Sequence, residues 1–212
     1  MKQVDQEIVN YIETEILPKY TKLGGHTNSH IEQVIDRSLK FYQQSPDLDI
    51  NMVYVIAAYH DLGRLVDNKT HHIESAKLLR ADNFIKSHFS ADEINIMAEA
   101  IEDHRASLGR EPRSTYGKLV SSADRNTDIN DMLSRVYDYT KHLHPEMNED
   151  EILEDARYHL RIKYSPDGYA ANTMYFDDPD FTATLTKVEE VTRTPAKFAK
   201  VMRTHNAKRK RN

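Results

Sequence analysis

The 212-residue chain contains no cysteine. This absence excludes a disulfide scaffold, a thiolate nucleophile, an iron–sulfur cluster and a cysteine-based zinc finger. It also suits a reducing compartment, so we expect a cytoplasmic protein. Any metal site must therefore be built from imidazole and carboxylate groups. The chain is well supplied with imidazole, because it carries 11 histidines.

Long apolar runs are also absent. No segment approaches the roughly 18 apolar residues that a membrane-spanning helix needs, and the first residues lack the apolar core of a signal peptide. The 29 Lys and Arg against 34 Asp and Glu give a net charge of −5. This acidic balance argues against broad nucleic-acid binding. Only the end of the chain is basic, and we expect residues 206–212 to form a disordered tail.

Glycine and proline are scarce, with 6 and 7 residues respectively. Apolar residues recur at the three- and four-residue spacing of helices, and no alternating segment is long enough to indicate a sheet. Ser29 with Glu32 and Ser90 with Glu93 have the spacing of helix capping boxes. The sequence therefore predicts an all-α chain, with a loop over residues 165–180.

The most informative polar residues lie on apolar helix faces. His60 and Asp61 follow an almost wholly apolar run, where burial of an unpaired charge costs several kcal/mol. A divalent cation offers compensation, since it binds neutral imidazole and ionised carboxylate together. The other candidates on apolar faces are His30, His104 and Asp124. Helix bundles commonly build metal sites this way. Taken singly, each of these histidines also fits a buried core histidine. Asp124 also fits an ion pair with Arg125 or Arg37.

The order of these residues resembles the HD-domain superfamily of metal-dependent phosphohydrolases. That family has a histidine, a distant His-Asp pair and a later aspartate, all on helices. The blocks that carry the resemblance are residues 25–30, 57–63, 71–79, 100–105 and 122–125. It implies a helical bundle as the main domain, which we place over residues 1–145. We expect residues 146–205 to form a C-terminal helical extension packed on it.

The resemblance implies a divalent metal cofactor of one or two ions, drawn from Mn, Fe, Co, Ni, Mg or Zn. The residues that match the first metal's ligands are His30, His60, Asp61 and Asp124. His71 and His104 match the further ligands of the dinuclear subgroup, with Asp61 as the bridge. The family motif selects His71 over His72, although helical spacing alone leaves both open.

The implied activity is hydrolysis of a phosphoester or phosphoanhydride by a metal-bound hydroxide. The chain lacks the Gly-Tyr-Pro signature of cyclic-di-GMP phosphodiesterases and the Glu-Asp pair of ppGpp hydrolases. Those two substrates are therefore not expected, and the substrate stays open within the class of nucleotides and similar small phosphorylated metabolites. Asp61, Arg64, Arg105 and His26 are the candidate catalytic residues, and Lys69 and Arg125 the candidate substrate-binding residues. Each cation also fits a surface charge or a structural ion pair, and His26 also fits a simple loop residue.

Other functions stay open at this point. The main alternative is a non-catalytic, metal-stabilised module that binds a nucleotide as a sensor. An RNA-directed phosphodiesterase has only the basic tail in its favour, so we do not expect nucleic acid or a membrane as a partner. A second copy of the chain is a candidate partner, and the predicted helix over residues 130–143 is a candidate interface.

Overall fold

The computed structural model describes residues 2–23 and 27–209. All regular secondary structure in these two ranges is helical, which confirms the predicted all-α class. The chain divides into two compact units. The first runs through Asp124 and includes Met174–Asp177, and the second comprises Arg125–Thr173 and the chain from Asp178 onward.

The first unit is a helical bundle. Its helices are α1 (Gln6–Tyr11), α2 (Thr27–Tyr42), α3 (Ile50–Tyr59), α4 (His71–Ala81), α5 (Asn83–His88), α6 (Ala91–Glu102) and α7 (Thr115–Ala123). After α1 the chain continues as a π-helical turn, Ile12–Ile16, and a 3₁₀ helix, Leu17–Leu23. A second 3₁₀ turn, Leu62–Leu65, follows α3.

Helix α3 is the centre of this unit. It is apolar on every side, as expected of a helix that other helices surround, and it packs against α2, α6 and α7. Asp49 begins it as the N-cap, since its Oδ1 accepts hydrogen bonds from the amides of Asn51 at 2.7 Å and Met52 at 3.1 Å. The residues that follow Tyr59 are therefore delivered into the interior of the unit.

One of the two predicted capping boxes is confirmed. The Ser90 amide donates to Glu93 Oε2 at 2.8 Å, and the Glu93 amide donates to Ser90 Oγ at 3.3 Å. The prediction at Ser29 is wrong, because α2 begins at Thr27 and Ser29 lies inside the helix.

The segment Met174–Asp177 belongs to the first unit although it lies late in the chain. The Phe176 ring stacks on Phe41 with a centroid distance of 5.5 Å. The Tyr175 amide donates a hydrogen bond to Ser122 Oγ at 3.1 Å. These contacts bring four residues of the later chain against α2 and α7.

The second unit is built around one helix. Its helices are α8 (Ile129–Leu143), α9 (Glu149–Tyr164), α10 (Tyr169–Asn172), α11 (Pro179–Thr192) and α12 (Pro195–Arg209). Helix α9 packs against the other four. Its buried stripe, Ile152, Ala156 and Leu160, has the four-residue spacing of one helix face.

This architecture differs from the sequence expectations at three places. The division between the units falls after Asp124 rather than after residue 145, because α8 packs within the second unit. The expected loop over residues 165–180 contains α10 and the start of α11. Helix α12 extends to Arg209, whose Nη2 lies 2.7 Å from Asp138 Oδ2, so residues 206–209 are helical rather than disordered. Residues 210–212 lie outside the described ranges.

Within the described ranges, no helix has both the length and the apolar character needed to cross a membrane.

Candidate metal centre

Six ligand-type side chains of the first unit lie together in two groups of three. We call His30, His60 and Asp124 the His30 triad, and Asp61, His71 and His104 the Asp61 triad. Within each triad the ligand atoms all lie within 4.8 Å of one another. These are the same six residues that the sequence predicts as metal ligands.

The ligands sit at or near helix ends. His60 is the C-cap of α3, with Asp61 next to it, and Asp124 is the C-cap of α7. His71 is the first residue of α4, and His104 lies two residues after α6 ends. His30 lies in the first turn of α2. The bundle thus brings the ends of separate helices together and places one or two ligands at each.

Three of the histidine rings are oriented by their own backbone. The Nδ1 atoms of His60, His71 and His104 lie 2.7, 2.8 and 2.7 Å from the carbonyl oxygen three residues earlier. A carbonyl only accepts, so Nδ1 must carry the proton in each ring. This leaves the Nε2 lone pair free to bind a metal, which is the usual arrangement of histidine ligands.

Asp61 lies between the two triads. Its Oδ2 is 3.8 Å from the Nε2 atoms of both His30 and His60. Its Oδ1 is 3.3 Å from His71 Nε2 and 3.7 Å from His104 Nε2. Each carboxylate oxygen therefore faces a different set of imidazoles, which is the disposition of a carboxylate that bridges two cations.

Three further distances show how closely the donor atoms approach one another. In the His30 triad, Asp124 Oδ1 lies 3.1 Å from His30 Nε2 and 3.7 Å from His60 Nε2. In the Asp61 triad, the Nε2 atoms of His71 and His104 are 3.3 Å apart. With Nδ1 protonated in both of these rings, two lone pairs face each other. A cation between them would turn this repulsion into attraction.

Three buried polar atoms at the centre have no hydrogen-bond partner among residues 2–23 and 27–209: His60 Nε2, Asp61 Oδ1 and Asp61 Oδ2. Arg64 Nε lies 2.9 Å from Asp61 Oδ2, but without hydrogen-bond geometry. A buried carboxylate that lacks such bonds is costly by several kcal/mol. Divalent cations would satisfy all three atoms, so the residues present fit a metal centre.

The two carboxyl groups are held in their ionised form. Burial raises the pKa of Asp61, but the charges of His60 and Arg64 outweigh burial and lower it below the usual range. Burial likewise acts to raise the pKa of Asp124, yet the neighbouring His30 and His60 imidazoles hold it well below that range. Both groups are therefore anionic at neutral pH, as metal ligands must be.

Two histidines of the centre differ in their protonation. Burial, with a further contribution from His60, lowers the pKa of His104 to about 4. Burial also acts to lower the pKa of His60, but the charges of Asp61 and Asp124 outweigh burial and raise it above 6.5. His104 is thus a neutral imidazole at pH 7, which is the form that binds a metal ion.

Two further residues anchor these helix ends: Tyr20, which the sequence analysis did not single out, and Arg37, which it offered only as an ion-pair partner of Asp124. The buried Tyr20 hydroxyl donates to the Ala58 carbonyl at 2.8 Å, one turn before Asp61. Tyr20 ends a buried stripe at four-residue spacing, Ile8, Ile12, Ile16 and Tyr20, and this spacing was a readable signal. Arg37 Nη1 donates to the Ala123 carbonyl at 2.8 Å, directly before Asp124.

Gly63 has a related role in the turn after Asp61. Its amide donates to Ser75 Oγ at 2.7 Å, which ties the 3₁₀ turn to α4. A Cβ atom at Gly63 would overlap the His71 carbonyl oxygen and the Ser75 amide nitrogen. The absence of a side chain here permits the close approach that brings His71 to Asp61.

The predicted catalytic cations differ in their placement. Arg64 lies against Asp61 and is 37 % exposed. Arg105 is half-buried, and its Nη1 lies 3.5 Å from the carbonyl oxygen of Lys69, whose side chain is exposed. His26 lies outside the described residues, so its role stays a prediction.

Arg125 and His72 are held by other contacts. The buried Arg125 guanidinium donates to Thr173 Oγ1 at 2.8 Å and to the Thr173 carbonyl at 3.2 Å, within the second unit. These bonds favour a structural role, and substrate binding by Arg125 stays a prediction. His72 belongs to neither triad, and burial, followed by the Arg105 charge, lowers its pKa. The structure therefore brings His71, rather than His72, to Asp61.

The comparisons with known proteins agree with this geometry. Residues 27–127 match the family model of the HD domain, a range that contains all six ligand residues. The comparisons with curated proteins and with solved structures gave no match.

Proposed function

Since the chain belongs to the HD-domain superfamily, we propose that it is a metal-dependent phosphohydrolase. Its substrate is a nucleotide or a similar small phosphorylated metabolite, and the bond cleaved is a phosphoester or phosphoanhydride. The observation that carries the proposal is the state of Asp61. Both of its carboxylate oxygens are buried without a hydrogen-bond partner in the part of the chain that the structure describes, and each faces a different set of histidine Nε2 atoms.

The two triads define which residues would hold the metal. His30, His60, Asp124 and Asp61 Oδ2 surround one position, and Asp61 Oδ1, His71 and His104 surround the other. This mixture of imidazole and carboxylate suits Mn, Fe, Co, Ni or Zn, with Mg favouring a site richer in oxygen. Bound divalent ions would lower the pKa of a water molecule toward neutrality and neutralise charge on phosphoryl oxygens.

The protein's own cations have separate tasks in this proposal. Arg64 reaches the edge of the centre with part of its guanidinium exposed, so it binds a phosphoryl oxygen as the substrate approaches. Arg105 and Lys69 lie on adjacent loops and bind more distal phosphate oxygens. The substrate approaches from the side of His30 and Asp124, which are the more exposed ligands.

The ionised carboxylates and the oriented imidazoles act before any substrate arrives. Since Nδ1 is already committed to a backbone carbonyl in three rings, the Nε2 atoms converge on the centre without rearrangement. Such preorganisation lowers the free-energy cost of assembling the reacting groups.

The test combines metal analysis with an activity screen. Elemental analysis of the purified protein is expected to find about one or two transition-metal ions per chain. The Asp61→Ala variant is expected to lose them, whereas Asp36→Ala, at an exposed position of α2, keeps them. A screen of nucleotides and generic phosphoesters with Mn, Co, Ni and Mg in turn is expected to show hydrolysis by the wild type and by Asp36→Ala only.

Two results would contradict the proposal in different ways. A wild-type protein that neither binds metal nor hydrolyses any phosphoester overturns the metal centre and the activity together. A protein that loses its metal on Asp61→Ala substitution but hydrolyses nothing in the screen is the non-catalytic, metal-stabilised nucleotide-binding module instead.

A further inference from the structure

The outward face of α9 in the second unit has an unusual composition. The exposed residues Glu151, Glu154, Tyr158, Arg161 and Ile162 follow three- and four-residue spacing, so they form one stripe along the helix. Tyr158 is 58 % exposed and Ile162 is 43 % exposed. Large apolar side chains thus lie at the middle and at the C-terminal end of a helix face that would ordinarily be charged and solvated.

This stripe continues onto the neighbouring helix. The ring centroids of Tyr158 and Tyr139 each lie 5.9 Å from that of His159, and Tyr139 of α8 is itself 56 % exposed. An open groove of about 390 Å³ lies beside Tyr158, lined also by Arg161, Ile162, Ser165 and Asp167. A contiguous apolar surface with an adjoining groove is typical of a protein interaction site.

The charges along α9 have an order that identifies the partner. The stripe is acidic before Tyr158, at Glu151 and Glu154, and basic after it, at Arg161. Two copies of this helix that lie antiparallel about a two-fold axis near Tyr158 would therefore place Glu154 of each copy opposite Arg161 of the other. An isologous interface requires this kind of self-complementarity.

The two charged residues differ in their present contacts. Glu154 Oε1 lies 2.9 Å from Arg157 Nη1 within the same helix. Among the ion pairs of residues 2–23 and 27–209, none uses Arg161, which lines the open groove. Arg161 is thus the side chain that gains most from a partner's carboxylate, and arginine and tyrosine are enriched in protein interfaces.

We propose that the outward face of α9, centred on Tyr158, is a homodimer interface in which Glu154 and Arg161 pair between copies. Tyr158 and Ile162 are buried by the partner, and each groove receives an aromatic side chain of the opposite copy. The proposal does not depend on the metal centre, because every residue it uses belongs to the second unit.

The test is a charge-exchange experiment on the full chain. Analytical ultracentrifugation is expected to show a dimer for the wild type. Each single variant, Arg161→Glu and Glu154→Arg, places like charges opposite each other twice, so the dimer dissociation constant rises by about tenfold or more. The double variant restores opposite charges and is expected to return to near the wild-type dissociation constant. Lys187→Glu, an exposed charge reversal on α11, is the matched control and leaves dimerisation unchanged.

Circular dichroism and metal content of every variant show that the fold is retained. A wild type that stays monomeric at the highest concentration overturns the proposal and leaves this face to a different protein. A dimer that the single variants do not weaken, or a double variant no stronger than the single ones, also overturns it. A loss of phosphohydrolase activity with dimerisation intact would bear on the metal centre alone.

Discussion

The two triads of the metal centre contain the same kinds of ligand but lie in different surroundings. In the His30 triad, the side chains of His30 and Asp124 are 22 % and 24 % exposed. In the Asp61 triad, the side chains of Asp61 and His104 are each only 2 % exposed. His60, the third member of the His30 triad, is fully buried, so the two triads differ at His30 and Asp124. The Asp61 triad therefore depends on the packing of the bundle around all its ligands, whereas the His30 triad is open to solvent at two of them.

The sharpest way to separate the triads is to disturb the packing behind Asp61. Gly63→Ala places a Cβ atom against backbone atoms of His71 and Ser75, which cannot move without shifting α4. We expect the free energy of unfolding to fall by about 3 kcal/mol or more, as for other overpacked sites. Metal titration of the folded fraction should show that the Asp61 triad weakens before the His30 triad.

Gly109→Ala is the matched control for this substitution. Gly109 has a φ of 75°, and a Cβ atom there meets no atom of the described residues within 4 Å. Only backbone strain opposes the alanine, at a cost of about 1 to 2 kcal/mol. Chemical denaturation of both variants measures the difference, and equal losses would show that the close approach at Gly63 is not what positions His71.

The second prediction concerns acid sensitivity of the buried triad. The pKa of His104 in the folded chain is lowered to about 4 from 6.5, chiefly because the ring is buried. Between these values the unfolded chain binds a proton that the folded chain does not. The free energy of unfolding therefore falls as pH drops from about 6.5 to about 4, by up to about 3 kcal/mol from this residue.

Urea unfolding of chelator-treated protein across this pH range checks the prediction. His104→Gln should lose less stability on acidification than the wild type, while the exposed His142→Gln should follow the wild type. Parallel curves for wild type and His104→Gln would mean that His104 titrates in the folded chain much as it does in water.

The smallest expected effect is a difference in metal affinity between variants of two neighbouring histidines, His71 and His72. His71→Gln removes an Nε2 donor from the Asp61 triad and is expected to weaken binding of one metal ion at least as much as the loss of an outer-shell partner, which costs about 10- to 100-fold. His72→Gln removes a ring that belongs to neither triad and should change the affinity by no more than about twofold. Isothermal titration with Mn²⁺ measures both, and equal effects would argue against the assignment of His71.

Most of the metal centre could be predicted from sequence because its ligands are polar residues at positions where an apolar residue is expected. His60 and Asp61 stand out since they follow an almost wholly apolar helix, and His104 stands out since it continues an apolar face. The distinction between His71 and His72 was out of reach of helical spacing. It depends on where α4 begins, since His71 is its first residue and bonds back to the Asn68 carbonyl.

The parts that could not be predicted are those that join distant segments. Tyr20 reaches Ala58 across 38 positions, and Arg37 reaches Ala123 across 86. Neither contact leaves a periodic pattern that names its partner. The boundary after Asp124 is hidden for the same reason, because it follows from α8 packing on α9 rather than from any change in composition.

The hydrogen bonds from His60, His71 and His104 to carbonyls three residues earlier have a consequence for how the centre forms. The orientation of each ring is set by a hydrogen bond within four consecutive residues, so it is established as soon as that short segment folds. Tertiary packing then only has to set the spacing between rings that already point the right way. A small packing error would shift the position of a ligand ring without rotating it. Binding of a cation would then restore that position.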